Sequence, residues 1–206
     1  MPQSPMPPTP DQQSRLDAYL ALLQRWNGTY NLTAVRDPDA MRVQHLADCL
    51  AVVEPLMREL PAGRILDVGS GGGLPGVVLA IVNPDWHVTC VDTVGKKAAF
   101  VRQVAAELAL PNLAAEHGRV EALKLSAFDA ITARAFSSLV DLVRLSRQHL
   151  RPGGFWMAMK GQRPDDEIAD LEAALPGDID VFHVEPLAVP GLDAARCLVW
   201  MRQRMH

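Results

Sequence analysis

The hydrophobic and polar positions change their rhythm once along the chain, near residue 62. Before it, apolar residues recur at Leu16, Tyr19, Leu20, Leu22, Leu23 and Trp26, the spacing of one face of an amphipathic helix. Asp11 is placed to cap that helix, and Asn27-Gly28 to break it. Asp37-Pro38 then starts a second helix, with proline at the first helical position. Met41, His45, Leu46, Cys49, Leu50, Val52 and Val53 lie on or near one face and carry it toward Met57. Pro61-Ala62-Gly63 ends it.

After that point short β-rich runs alternate with helical ones. Strands are expected over Arg64–Val68, His87–Asp92, Leu113–His117, Phe128–Ala133, Gly154–Lys160, Asp180–Glu185 and Arg196–Arg202. Helices fall between them at Gly76–Val82, Lys96–Leu108, Leu139–Leu150 and Asp165–Leu175. Such alternation predicts an α/β fold: a doubly wound, mostly parallel sheet of seven strands with helices on both faces. Only a loop, Pro186–Asp193, separates the last two strands, so they should form a hairpin with one terminal strand antiparallel. The expected organisation is a proline-rich leader over 1–10, a helical extension over 11–62 and the α/β domain over 63–206.

Composition narrows this picture. With 206 residues, 49% of them hydrophobic and 21% charged, the chain can bury a core without staples and is not intrinsically disordered. The leader, MPQSPMPPTP, has no apolar stretch and is read as disordered or polyproline-like, not as a secretory signal. No run approaches the roughly 18 apolar residues of a membrane span. Cys49, Cys90 and Cys197 are an odd number without a C-x-x-C pair, which argues against disulfides and metal and suits a cytoplasmic location. The net charge of −4 gives no global sign of nucleic-acid binding.

Candidate chemistry begins where the first strand ends. Asp67-x-Gly69-x-Gly71-x-Gly73-Leu74-Pro75-Gly76 leaves that strand and opens a helix, so its glycines can bring backbone amides close to a ligand. A dinucleotide pyrophosphate is poorly served by a carboxylate at Asp67, whereas a cationic sulfonium and ammonium tolerate one. The loop therefore favours S-adenosylmethionine over NAD; an ordinary glycine-rich turn is the plain alternative. Asp92 closes the second strand about twenty residues on, where an acid grips ribose hydroxyls, or caps the following helix. Glu121, after the third strand, is placed for the adenine, or is simply a surface carboxylate.

The exit of the fourth strand reads Thr132-Ala133-Arg134-Ala135-Phe136-Ser137. It lacks the acid- or amide-Pro-Pro-aromatic run of amine methylases. No cysteine stands at a strand exit as pyrimidine C5 methylation requires. Arg134 instead offers a fixed cation for a carboxylate or phosphate.

Leu32-Thr33-Ala34-Val35-Arg36-Asp37-Pro38, preceded by Trp26-Asn27 and Tyr30-Asn31, resembles the N-terminal signature of the bacterial small-subunit ribosomal RNA guanine-N7 methyltransferases. The similarity continues through Asp67–Gly76, Asp92 with Gly95-Lys96-Lys97, Arg119-Val120-Glu121, Arg134-Ala135-Phe136 and Met159-Lys160-Gly161-Gln162. It spans Leu16 to Val199. The resemblance implies a Rossmann-like class I S-adenosylmethionine-dependent methyltransferase that modifies N7 of one guanine in 16S rRNA near the decoding region. It also implies that Gly69, Leu74, Val120, Glu121 and Arg134 line the cofactor pocket. The family usually has proline or alanine where this chain has Gly72, which should loosen the loop slightly.

The expected partner is 16S rRNA or the small ribosomal subunit, bound by a monomer. Arg144, Arg147, Arg151, Lys160 and Arg163 form an acid-free cluster, as do the arginines from Arg196 onward and Lys96, Lys97 and Arg102. Arg134, Lys160, Arg144, Arg147 and Arg163 are the RNA-contact candidates; Lys160 stands out because it ends the fifth strand. Solvated helix faces are the bland reading of the helical cations. Phe136, Trp26 and Tyr30 could sandwich a guanine, although Trp26 sits at a core-like position. No side chain is expected to be chemically essential, His45 included. A small-molecule methyltransferase would share the cofactor loop, and a non-catalytic RNA-binding module would keep the cations without cofactor affinity.

Overall fold

The computed structural model describes residues 7–204. Most of the proposed leader lies outside them, but its last residue opens the first helix, α1 (Pro10–Tyr30), and the one before caps it. Thr9, not Asp11, is the cap: its Oγ1 accepts from the Gln12 amide at 3.3 Å, and Gln12 Oε1 accepts from the Thr9 amide at 2.8 Å. Pro10 takes the first helical position, where its missing N–H leaves nothing unpaired. The helix also runs past Asn27-Gly28 and ends at Asn31, whose φ of 50° is left-handed. Asn27 does not turn the chain because its side chain is buried and engaged elsewhere. It accepts from the Thr33 amide at 2.9 Å and donates to the Val35 carbonyl at 3.2 Å.

The second helical stretch is broken into α2 (Pro38–Met41), a π turn (Arg42–Ala47), α3 (Asp48–Leu50) and α4 (Val53–Glu59). Asp37 caps it as expected, accepting from the Ala40 amide at 2.8 Å. The interruption at Ala51-Val52 has a cause in Pro55: proline cannot donate to the carbonyl four residues back and its ring crowds it. The π turn has no such sequence marker.

The sheet contains β1 (Gly63–Val68), β2 (Trp86–Asp92), β3 (Leu113–His117), β4 (Phe128–Arg134), β5 (Leu150–Lys160), β6 (Ile179–Leu187) and β7 (Arg196–Gln203). Its order is β3-β2-β1-β4-β5-β7-β6. The pairs among β1 to β5 are parallel, and β7 lies antiparallel between β5 and β6. The helices α5 (Gly76–Val82), α6 (Gly95–Glu107), α7 (Leu139–Ser146) and α8 (Asp165–Ala174) complete the fold.

Because side chains alternate across a strand, Ile65, Val88 and Cys90 face one layer while Leu66, Val68, Ile131 and Val199 face the other. The first layer contains α5, α6 and, in the same cluster, Leu16, Tyr19, Leu20 and Leu23 of α1. The second contains Leu139, Leu142 and Val143 of α7 and Leu171 of α8. The strand order reverses between β1 and β4, which opens a crevice beyond their carboxyl ends.

Candidate active site

Two cavities lie in that crevice, one on each side of the β4 exit. Arg134 and Ala135 line the larger, and the next residue, Phe136, lines the smaller. Ala135 makes the division at φ 55°, a left-handed conformation that disfavours any residue with a Cβ by about 1–2 kcal/mol. Strain of this kind clusters where side-chain direction matters.

The smaller cavity, about 190 Å³, is lined by Val68, Gly69, Val91, Asp92, Val120, Glu121 and Phe136 among others. Gly69 has φ 68°, and a Cβ there would meet the Phe136 ring at 3.4 Å. Asp92 is 7% exposed; its Oδ2 accepts from the Gly71 amide at 2.9 Å and its Oδ1 from the Val94 amide at 2.8 Å. One carboxylate thus shapes the loop, starts α6 and borders the cavity. The Arg119 guanidinium lies 2.6 Å from Glu121 Oε1. A backbone hydrogen bond within Glu121, with this contact, holds its carboxyl below the usual range.

Other loop residues act from behind this wall. Asp67, read from sequence as facing a cationic ligand, is fully enclosed and lines neither cavity. Its Oδ2 accepts from the Gly76 amide at 2.9 Å and its Oδ1 from the Thr132 hydroxyl at 3.1 Å, so it ties the first turn of α5 to β4. Enclosure pushes its carboxyl up to about 7 against these stabilising bonds. Leu74 is likewise buried in the core and lines neither cavity. Gly73, at φ 90°, allows close packing: a Cβ would stand 2.4 Å from Val77 Cγ2. Gly71, at φ 58°, has open space where a Cβ would be. At Gly72 the carbonyl accepts from the Tyr19 hydroxyl at 2.6 Å, so α1 braces the loop where the sequence suggested looseness.

The larger cavity, about 420 Å³, is lined by Gln44, His45, Asp48, Arg134, Ala135, Met159, Lys160, Gly161 and Arg196. Arg134, which the resemblance assigns to the cofactor pocket, lines this cavity and not the smaller one. Its Nη1 donates to the Gln44 carbonyl at 3.1 Å and lies 3.4 Å from both His45 Nδ1 and Asp48 Oδ2. Arg196 Nε donates to Asp48 Oδ1 at 2.9 Å. His45 Nε2 lies 2.7 Å from Thr33 Oγ1, so both ring nitrogens are engaged. Burial first, then the Arg134 charge, lower its pKa. The Thr33 segment and the π turn therefore form one wall; π turns recur at functional sites because they re-aim side chains.

Lys160 reaches this cavity, but Glu167 Oε1 and Oε2 accept from its Nζ at 2.9 and 2.8 Å. Arg163, also proposed to touch RNA, lies 2.6 Å from Asp165 on an exposed surface. Arg144 and Arg147 are not brought to the site. Helix α7 starts at the β4 exit and runs away from it, so Arg147 stands just before the start of β5 while Lys160 ends that strand. There Arg144 donates to the Ala174 carbonyl at 3.2 Å and Arg147 lies 3.6 Å from Asp178. Nor do the proposed sandwich aromatics converge: Trp26 packs on Phe100 at 5.4 Å, Lys96 covers Tyr30 at 5.1 Å, and Phe136 lines the smaller cavity.

Sequence reasoning missed Gln44, Asp48 and Ala135 as site residues, and counted Arg196 only as one of a terminal run. A usable signal existed for Asp48, a lone carboxylate within Leu46-Ala47-Asp48-Cys49-Leu50. An acid in such an apolar run requires a cationic partner if it is buried.

Comparison with known proteins agrees with this arrangement. The family model for rRNA small subunit methyltransferase G matches residues 12–196. A protein named ribosomal RNA small subunit methyltransferase G from Leptothrix cholodnii is 63% identical over 195 residues, covering 94% of this chain and 88% of that protein. One of the same name from Methylibium petroleiphilum is 58% identical, covering 94% and 86%. Among solved structures, a ribosomal protein L11 methylase from Lactobacillus delbrueckii superposes with TM-score 0.60 at 16% identity, covering 79% of each chain. Coclaurine N-methyltransferase, bound to N-methylheliamine and SAH, gives 0.55 at 12%, covering 89% of this chain and 70% of that one. These two likenesses establish the fold of a class I methyltransferase. With the family match running from α1 to the first residue of β7, the chain belongs to the rRNA small subunit methyltransferase G family.

Proposed function

We propose that this protein transfers a methyl group from S-adenosylmethionine to N7 of a guanine in 16S rRNA near the decoding region, acting as a cytoplasmic monomer on rRNA or the small ribosomal subunit. The residues present fit the cofactor. Asp92 borders the smaller cavity for ribose hydroxyls, Val120 and Glu121 form the wall for the adenine, and Gly69 leaves room that a side chain would fill. When bound, S-adenosylmethionine supplies a methyl group on a positively charged sulfur.

The observation that carries the reading is that the titratable side chains around the larger cavity are already partnered. Both ring nitrogens of His45 are engaged, Asp48 lies against Arg134 and Arg196, and Lys160 is paired with Glu167. Burial pushes the nearby Cys49 thiol up to about 12. None of these is a free general base. Guanine N7 carries a lone pair and no proton, so its methylation requires none. The chain's task is to hold the base in line with the methyl donor, an orientation effect worth up to about 7–11 kcal/mol. The cationic wall formed by Arg134, Lys160 and Arg196 suits the phosphates around that base.

The test is a methyl-donor assay on small subunits from cells lacking the modification, followed by mapping of the product. Transfer to guanine N7, nearly constant in single-turnover rate from about pH 6 to 9, is expected. Replacing that N7 by carbon should abolish it. A rate that follows one histidine titration, or methylation of the deaza-base, would overturn the N7 assignment.

A further inference from the structure

Asp48 is only 3% exposed, yet it stands between two guanidinium groups brought from far apart in sequence. Arg134 comes from the exit of β4, with Nη1 3.4 Å from Asp48 Oδ2. Arg196 comes from the first position of β7, with Nε 2.9 Å from Asp48 Oδ1. Asp48 itself opens α3, directly after the π turn that holds Gln44 and His45. All five residues line the larger cavity. In contrast to the exposed Arg163–Asp165 pair, this carboxylate is enclosed and its two partners are only about a quarter exposed.

The charges do not balance: one carboxylate faces two arginines. A carboxylate that fully neutralised its partners would leave nothing for an anionic substrate; none at all would leave two long cationic side chains unheld. We infer that Asp48 is a positioning residue for the acceptor side of the reaction. It fixes Arg134 and Arg196 relative to each other and leaves one net positive charge for the RNA. This inference rests on the methyltransferase reading above. Asp48 acts through the two arginines; it touches neither the methyl donor nor the base.

The signature of such a role is a split between binding and rate. Asp48→Asn keeps the shape and one acceptor oxygen but removes the charge, so both guanidinium groups become available to phosphate. Small-subunit binding should tighten, and log Kd should depend on log salt more steeply by about one unit. The single-turnover methylation rate with saturating small subunit should fall by about 10- to 100-fold, since displacements near 1 Å cost up to about 100-fold in rate. S-adenosylmethionine affinity, measured calorimetrically, should stay within about twofold because Asp48 does not line the smaller cavity.

If a folded Asp48→Asn enzyme keeps the wild-type rate and salt slope, the inference is overturned. It is also overturned if binding and rate weaken together, which is the pattern of a purely structural residue. Should Asp48→Asn alone not fold, Arg196→Gln and Arg196→Gln/Asp48→Asn are compared instead. The same one-unit increase in slope is expected between them, and equal slopes overturn the proposal. Wild-type enzyme on the same small subunits keeps the two readings apart: no methylation by it refutes the proposed function, whereas active wild type with an indifferent Asp48→Asn refutes only the role of Asp48.

Discussion

The two cavities beside the β4 exit are built by opposite means. The smaller is a product of neighbouring sequence: its lining comes mainly from β1 and β2, the glycine loop between them, and the turns after β2 and β3. Backbone amides and one shared carboxylate do most of the work there. The larger joins a π turn near residue 45 to the exits of β4 and β5 and the start of β7. It is shaped by side chains whose charges are already partnered. The first arrangement is suited to a ligand of constant structure. The second is suited to one surface of a large polyanion, where a cation must be held until it is exchanged for a phosphate.

The strongest way to break this contrast is at Asp92, on which the smaller cavity depends twice. Asp92→Ala removes a candidate ribose partner and also the acceptor for the Gly71 and Val94 amides. S-adenosylmethionine affinity should fall by about 1.5–3 kcal/mol, roughly 10- to 150-fold. Calorimetry on the folded variant checks it; unchanged affinity would mean that the ligand is not held at this carboxylate.

Asp67 sharpens the same side through pH. The folded chain retains its proton up to about 7, whereas the unfolded chain releases it near 3.8. Stability from this group therefore falls as pH rises between those values and levels off above them, by at most roughly 1.4 kcal/mol per unit. Asp67→Asn can still accept from the Gly76 amide and can donate to Thr132 Oγ1, without titrating. Its stability relative to wild type should rise by about 2 kcal/mol between about pH 5 and pH 7, read by urea unfolding. A constant difference would show that Asp67 is ionised throughout.

Lys160→Ala tests whether the cavities are independent. Methylation at limiting small subunit should drop by about tenfold, in keeping with one lost charge-assisted contact, while cofactor affinity stays the same. A parallel loss of cofactor affinity would merge the two regions into one. The smallest effect belongs to Arg144→Ala/Arg147→Ala. These cations stand at the opposite end of β5 from Lys160, so the salt slope of RNA binding should remain within about half a unit of wild type. A full two-unit loss would extend the RNA surface along α7.

The same contrast explains what could be read from the sequence. Leu113–His117 and Gly76–Val82 form the expected strand and helix over the same residues, and the other strands differ only at their ends. Gly69, Asp92, Val120 and Glu121 meet because a strand–loop–helix unit brings local sequence together in a fixed way. The larger cavity depends on pairings that periodicity does not encode. Nothing in Arg42–Ala47 signals a π turn, and Lys160 gives no sign in sequence that Glu167 will hold it. Clustering in the sequence also misled at α7, because a helix carries successive cations away from the strand exit that precedes it. Asp67 and Leu74 show a subtler limit: a motif names the residues that make a loop, not which of them line a cavity.

The placement of β7 between β5 and β6 has a consequence for how the protein comes into being. During synthesis β1 to β5 and the glycine loop emerge first and can pair as neighbours, whereas β6 has no sheet partner except β7. Arg196 opens that last strand. The paired β1 to β5 can thus shape the smaller cavity before β7 is in place, whereas the wall of the larger cavity that carries Arg196 is completed only when β7 docks. Closing contacts so distant in sequence is intrinsically slow. Until β7 docks, Asp48 lacks one of its two guanidinium partners.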